Sequence, residues 1–208
     1  PLAKRKLEDR NSDMYFASSD DFGRVKNLKL TLVNSLITGL NENDENIFIP
    51  LEKPLSKSNS IKLNLEYTII LPNKKFTGYG TDGTNVLLKY FFIVPDQIDT
   101  NKSRFFLDTE ERTNFNTYWS IHLELPQDLL SYSSLKEKNK NNFSSISTTD
   151  PEIFITSSPI FETTNQVDGK SVLVQMAYSV NPYEKSRIET ELPKQLLFLK
   201  DSWGTLPE

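Results

Sequence analysis

A period of two runs through most of this sequence. Leu28, Leu30 and Leu32 alternate with Asn27, Lys29 and Thr31, and Ile61, Leu63, Leu65 and Tyr67 alternate with Lys62, Asn64 and Glu66. Trp119, Ile121, Leu123 and Leu125 then alternate with Ser120, His122 and Glu124, ending at Pro126. Side chains of a β-strand point to opposite faces in turn, so each segment reads as a half-buried strand. Proline after Leu71, Val94 and Leu125 ends runs cleanly, because it cannot donate to a sheet ladder. Until about Tyr183 no segment shows helical spacing. The pattern predicts an all-β fold, a curved and mostly antiparallel sheet or sandwich of saddle-like form, with one amphipathic helix at its C-terminal end.

Further strands are expected at Ile47-Phe48-Ile49, confined to an edge by Pro50 and Pro54, and at Val86–Val94, a nearly continuous apolar run covered on both faces. Ile153-Phe154-Ile155 and Ile160-Phe161 follow, and Asp168-Gly169 joins that strand to Val172-Leu173-Val174 as a hairpin. Lys136–Thr149 is polar and reads as a loop. Leu192, Leu196, Leu199 and Trp203 fall at helical spacing, with Leu197 and Phe198 widening the stripe, Glu189 and Glu191 before it and Pro193 in its first turn. Gly204 and Pro207 stop the helix. The division expected is an irregular arm over 1–24, a β domain over 25–183, and a linker with the start of a helix over 184–208.

Composition narrows the chemistry. The 208 residues include one His and no Cys, so thiol catalysis, disulfides and multi-histidine metal sites are excluded. A net charge of −4 argues against nucleic acid as a partner. No apolar run approaches the roughly 20 residues that span a bilayer, so this segment inserts in no membrane as a helix. The chain opens at Pro1 and reads as a piece of a longer polypeptide.

His122 lies on the polar face of its strand and reads as a solvated residue. The pairs Asp20-Asp21 and Glu110-Glu111 read as solvated charge, since nothing adjacent in sequence desolvates them. Phe76–Gly83 holds three of the seven glycines, but a strand rather than a helix follows, which argues for a tight loop over a phosphate cradle. No nucleophile elbow, metal motif or nucleotide loop is present. The residues alone describe a binding or scaffold domain without its own catalytic groups.

Several segments, taken in order, resemble the N-terminal domain of the aminopeptidase N family of zinc metallopeptidases, and a bacterial branch of it in particular. They are Pro1–Arg5 with Phe22-Gly23-Arg24, Ile61–Gly80 with its Gly78-Tyr79-Gly80 turn, Leu87–Asp96, Thr117–Pro126 and Leu196–Pro207. The resemblance covers most of the chain. It implies a β domain that walls one side of an active-site cleft and docks a thermolysin-like catalytic domain of the same parent chain, with a peptide as the parent's substrate. It also implies zinc in the parent, held by H-E-x-x-H and a downstream Glu, and no cofactor or catalytic residue in this fragment. Substrate-facing candidates are Gly78, Tyr79, Gly80 and Asn85; contacts with the catalytic domain are expected at Phe198 and Trp203. Family members place a Gln or Glu in the strand before the Pro, to anchor the substrate amine. Here that stretch is Val86-Leu87-Leu88, with Asn85 the nearest polar side chain. The rival readings are a freestanding β-sandwich module of the cell envelope, binding a ligand or acting as an adhesin, and a parent that has lost its zinc and serves as a scaffold.

Overall fold

The computed structural model describes residues 17–32, 35–37, 47, 49, 51, 54–95, 116–158, 160–176 and 181–204. The first sixteen residues of the expected arm, Phe48 and the side chain of Trp203 lie outside that set. The chain is all-β, built of several antiparallel sheets with one long C-terminal helix, and among the described residues no sheet closes into a barrel. It divides into two compact units, 1–127 with 131–155 and 128–130 with 156–208.

In the first unit, β1 (Arg24–Leu32) lies between β2 (Ser35–Ile37) and β3 (Leu63–Ile70). The alternation read from the sequence is realised in β3, where Leu63, Leu65, Tyr67 and Ile69 are half-buried and Asn64, Glu66 and Thr68 face solvent. The register of β1 on β3 slips between Lys26 and Lys29, where Asn27 takes a positive φ of 54°. An extra residue in a left-handed conformation is how a bulge is made, and Asn tolerates it better than most. Beyond the slip, Leu30 is wholly buried.

A four-stranded sheet follows the order β4 (Gly80–Thr81), β5 (Val86–Leu88), β10 (Ile153–Thr156), β7 (Leu130–Ser133). A three-stranded sheet runs β6 (Thr117–His122), β9 (Asn142–Ser147), β8 (Glu137–Asn139). Leu135, Phe143 and Ile153 are buried among these elements.

Several expectations need correcting. The polar stretch 136–149 is not a loop: it forms β8 and β9, turned at Lys140-Asn141 with Asn141 at φ 62°. Phe143 supplies the burial, and pairing with β6 along Thr117–His122 satisfies the serine-rich backbone that lowered the local hydropathy. The run Val86–Val94 is a strand only to Leu88, because Tyr90 adopts φ 61° and breaks the ladder. β6 likewise stops at His122, three residues before Leu125, although Leu123 still donates its N–H to the Asn141 carbonyl at 2.9 Å. A helical interlude also exists, the single turn α1 (Lys74–Thr77), within the segment expected to be an unbroken turn.

The second unit is a hairpin and a helix. β11 (Phe161–Val167) pairs with β12 (Lys170–Met176) without a slip over seven residue pairs. Asp168 and Gly169 both have positive φ, 50° and 74°, the turn whose twist matches the strands it joins. α2 spans Pro182–Trp203 and packs on β11. It starts ten residues before the expected leucine stripe, because Asn181 and Glu184 form a reciprocal capping box and Pro182 occupies the first turn. Pro193 is therefore inside the helix rather than at its start, where it forfeits the bond to the Glu189 carbonyl. Lys200 binds Asp168, so the last turn of the helix is tied to the hairpin turn.

Ile153→Ala should cost about 2–4 kcal/mol in denaturant unfolding, since it empties a fully buried site. Ile146→Ala, on the exposed face of β9, should stay within about 0.5 kcal/mol.

Candidate functional site

Three of the four substrate-facing candidates sit on one short path from β3 to β4. Pro72 ends β3, and Asn73 caps α1 by accepting the Lys75 N–H on its side-chain oxygen at 3.0 Å. The other end of that side chain donates to Asp21 Oδ1 at 3.1 Å, and the Asn73 N–H donates to the Asp21 carbonyl at 2.9 Å. One asparagine thus caps a helical turn and holds the turn at residues 19–21 beside it.

Gly78 and Gly80 carry backbone duties here. Gly78 ends α1 in the left-handed conformation, φ 79°, and donates its N–H to the Lys74 carbonyl at 2.9 Å. Gly80, at φ 102°, lies against Pro72: a Cβ there would stand 2.0 Å from the Pro72 carbonyl oxygen. Only glycine permits that approach, which lets the Thr81 N–H reach the same oxygen at 2.9 Å. Between them Tyr79 is half-buried, its ring edge-on to Tyr90 with centroids 5.9 Å apart. Burial, and then the neighbouring phenol, raise the Tyr79 pKa, so it stays neutral and can donate a hydrogen bond at physiological pH.

Asn85, the fourth candidate, is committed to its own loop. Its N–H donates to Asp82 Oδ1 at 2.7 Å, its carbonyl accepts from the Asp82 N–H at 3.2 Å, and its side-chain amide reaches Asp82 Oδ2 at 3.4 Å. Thr84 N–H adds a bond to Asp82 at 3.0 Å. These amides lower the Asp82 pKa, and Lys74, 4.0 Å away, adds to the effect. Asp21 is lowered chiefly by the Ser18 N–H and hydroxyl, at 2.8 and 2.9 Å, and further by Asn73.

Asp20, Asp21, Asn73, Thr81 and Asp82 line an open depression of about 330 Å³ with Leu71 and Gly83. In the sequence Asp20-Asp21 reads as solvated charge, and no spacing links the pair to Asp82, 61 residues beyond Asp21. The signal available was local: an Asp or Asn followed two or three residues later by backbone donors, the pattern of an Asx turn.

Asp21 and Asp82 are held ionised by donors, so neither of these two is a general acid near neutral pH. His122 is exposed, 2.8 Å from Asn142 through Nδ1. Among the described residues no three His, Asp or Glu side chains converge as a metal-ligand group. Phe198 lies on α2, 69% exposed. No family model, no curated protein and no solved structure matches the chain.

Gly80→Ala should destabilise the chain by at least about 2 kcal/mol, while Gly78→Ala, which meets open space and pays only for its left-handed φ, should cost about 1 kcal/mol. Folding lowers the Asp21 and Asp82 pKa values, so near the ordinary aspartate value of 3.8 the unfolded chain binds more protons than the folded one. Their contribution is complete above that value and vanishes as pH falls through the lowered ones. Comparison of acid unfolding in the wild type and an Asp21→Asn, Asp82→Asn double variant should show a shallower pH dependence below 3.8 in the variant.

Proposed function

We propose that this chain is the non-catalytic N-terminal part of an aminopeptidase-N-like zinc metallopeptidase, walling its active-site cleft and docking its catalytic domain. The observation that carries the reading is the apolar character of α2 on two faces. Ile188, Leu192, Leu196 and Leu199 form a half-buried stripe. Tyr183, Leu197 and Phe198 are exposed and fall within about 100° of one another on the far side of a helix with 3.6 residues per turn. A helix that serves one sheet needs one apolar side, and a second exposed one suits a covering partner. Supporting this are the order of segments that resemble the family and the Gly78-Tyr79-Gly80 turn, which offers a neutral phenol on a rigid backbone. On this reading a catalytic zinc would be held by an H-E-x-x-H helix of the parent, where it would supply an activated water.

The test is made on the full parent polypeptide. An H-E-x-x-H motif downstream of Glu208, and hydrolysis of an amino-acid anilide by the parent but not by the 208 residues alone, are expected. Phe198→Asp should lower the melting temperature of the parent more than that of the isolated chain. A reading frame that stops, or continues into another β module, with Phe198→Asp affecting both forms equally, would overturn the proposal in favour of a freestanding binding module.

A further inference from the structure

The outer edge of β12 is unlike the other sheet edges; its partner β11, the second edge of the same two-stranded sheet, carries Glu162 and has α2 packed on it. Among the described residues its only strand neighbour is β11. A two-stranded hairpin is marginal in water, and a long unpaired edge is a template for another strand. Proteins blunt such edges with short length, charge, proline or a bulge. Here β2, β4, β7 and β8 are two to four residues long, and β3 carries Glu66 in mid-strand. β6 turns the polar Ser120 and His122 to solvent. β12 has none of these devices after Lys170: Ser171-Val172-Leu173-Val174-Gln175-Met176 contains no charge and no proline, and its register on β11 is unbroken. Leu173, at the centre, is 54% exposed.

The sequence of this edge is also self-complementary. If two copies pair antiparallel about a two-fold axis through Leu173, Leu173 faces its own counterpart and Val172 faces Val174. Ser171 then faces Gln175, and Lys170 faces Met176. No like charges meet, and residues of one face stay on one face because the side-chain period is two. We infer that the β12 edge is a homodimerisation surface, on which a second copy of this chain adds its own β12 to give the continuous sheet β11-β12-β12-β11. Such an interface is isologous, each copy presenting the same patch. It lies on a different element from the helix face of the preceding section and does not depend on that reading.

Sedimentation velocity over a concentration series should show a reversible dimer of the 208-residue chain. Leu173→Lys should weaken it by more than tenfold, since like charges would then stand opposite each other at the axis. Leu173→Glu alone should do the same. An equimolar mixture of the two variants should recover a dimer, a result that misfolding of either variant cannot produce. A monomer at every concentration would overturn the inference. So would a dimer indifferent to Leu173→Lys, or a mixture of the two variants that stays monomeric while each retains the wild-type circular dichroism spectrum.

Discussion

The approach of Gly80 to Pro72 is the contact on which the described part of the first unit turns. The Pro72 carbonyl, two residues beyond the end of β3, accepts the Thr81 N–H in β4 and leaves no room for a side chain at Gly80. The strand order β4-β5-β10-β7 starts from this junction. The same proline is approached by a second glycine: a Cβ on Gly23 would lie 2.8 Å from Pro72 Cδ. Two glycines 57 residues apart therefore frame one proline, and Asn73 adds two hydrogen bonds to Asp21 beside it. A short α1 is stable there although one turn of helix in isolation is not, since nucleation fixes several residues for one bond. Phe76 buried under it and caps at both ends make up the difference.

In the second unit the corresponding constraint is the joint between helix and hairpin. Val167 is fully buried just before the turn, and Lys200 reaches Asp168 in the turn itself. Lys200 also stands in the last turn of α2, where a cation is favoured by the helix dipole, so one side chain serves two charges. Exposed ion pairs contribute little on their own. The value of this one is positional: it fixes the distal end of a 22-residue helix whose middle is weakened at Pro193.

Strands whose two faces differ in polarity were legible in the sequence. β1 and β3 follow Leu28–Leu32 and Leu63–Ile69 because one face of each is wet, and the hairpin turn follows Asp168-Gly169 because few residues accept consecutive positive φ. β8 and β9 were not legible, for Asn142–Ser147 holds only Phe143 and Ile146 as apolar residues, and Ile146 points to solvent. The strand exists through its partner, a non-local pairing that local hydropathy does not encode. The helix start was hidden for the opposite reason. Its capping box is written in Asn181 and Glu184, but the leucine spacing begins only at Leu192, and Pro193 is an ordinary first-turn residue that marks a false start there. At the candidate site the glycines were visible and their cause was not. What makes Gly80 irreplaceable is Pro72, a neighbour in space that no spacing rule identifies.

The charged groups of the 72–85 segment show how far this surface can go chemically. A carboxylate becomes a proton donor at neutral pH when it loses water and gains no donors. Asp82 receives three N–H donors from Thr84 and Asn85, and Asp21 receives Ser18 and Asn73. Each is driven further into its ionised form, the direction that suits a turn lock. Tyr79 is driven the other way, toward a neutral phenol that donates without titrating. Fixed acceptors at Asp21 and Asp82 line the open depression, while Tyr79 packs its ring against Tyr90. Bond-breaking needs a group poised to give up or take a proton, and these residues are poised against it. The proposed place in the wall of a cleft would be a division of labour of this kind, shape from this chain and reactivity from another.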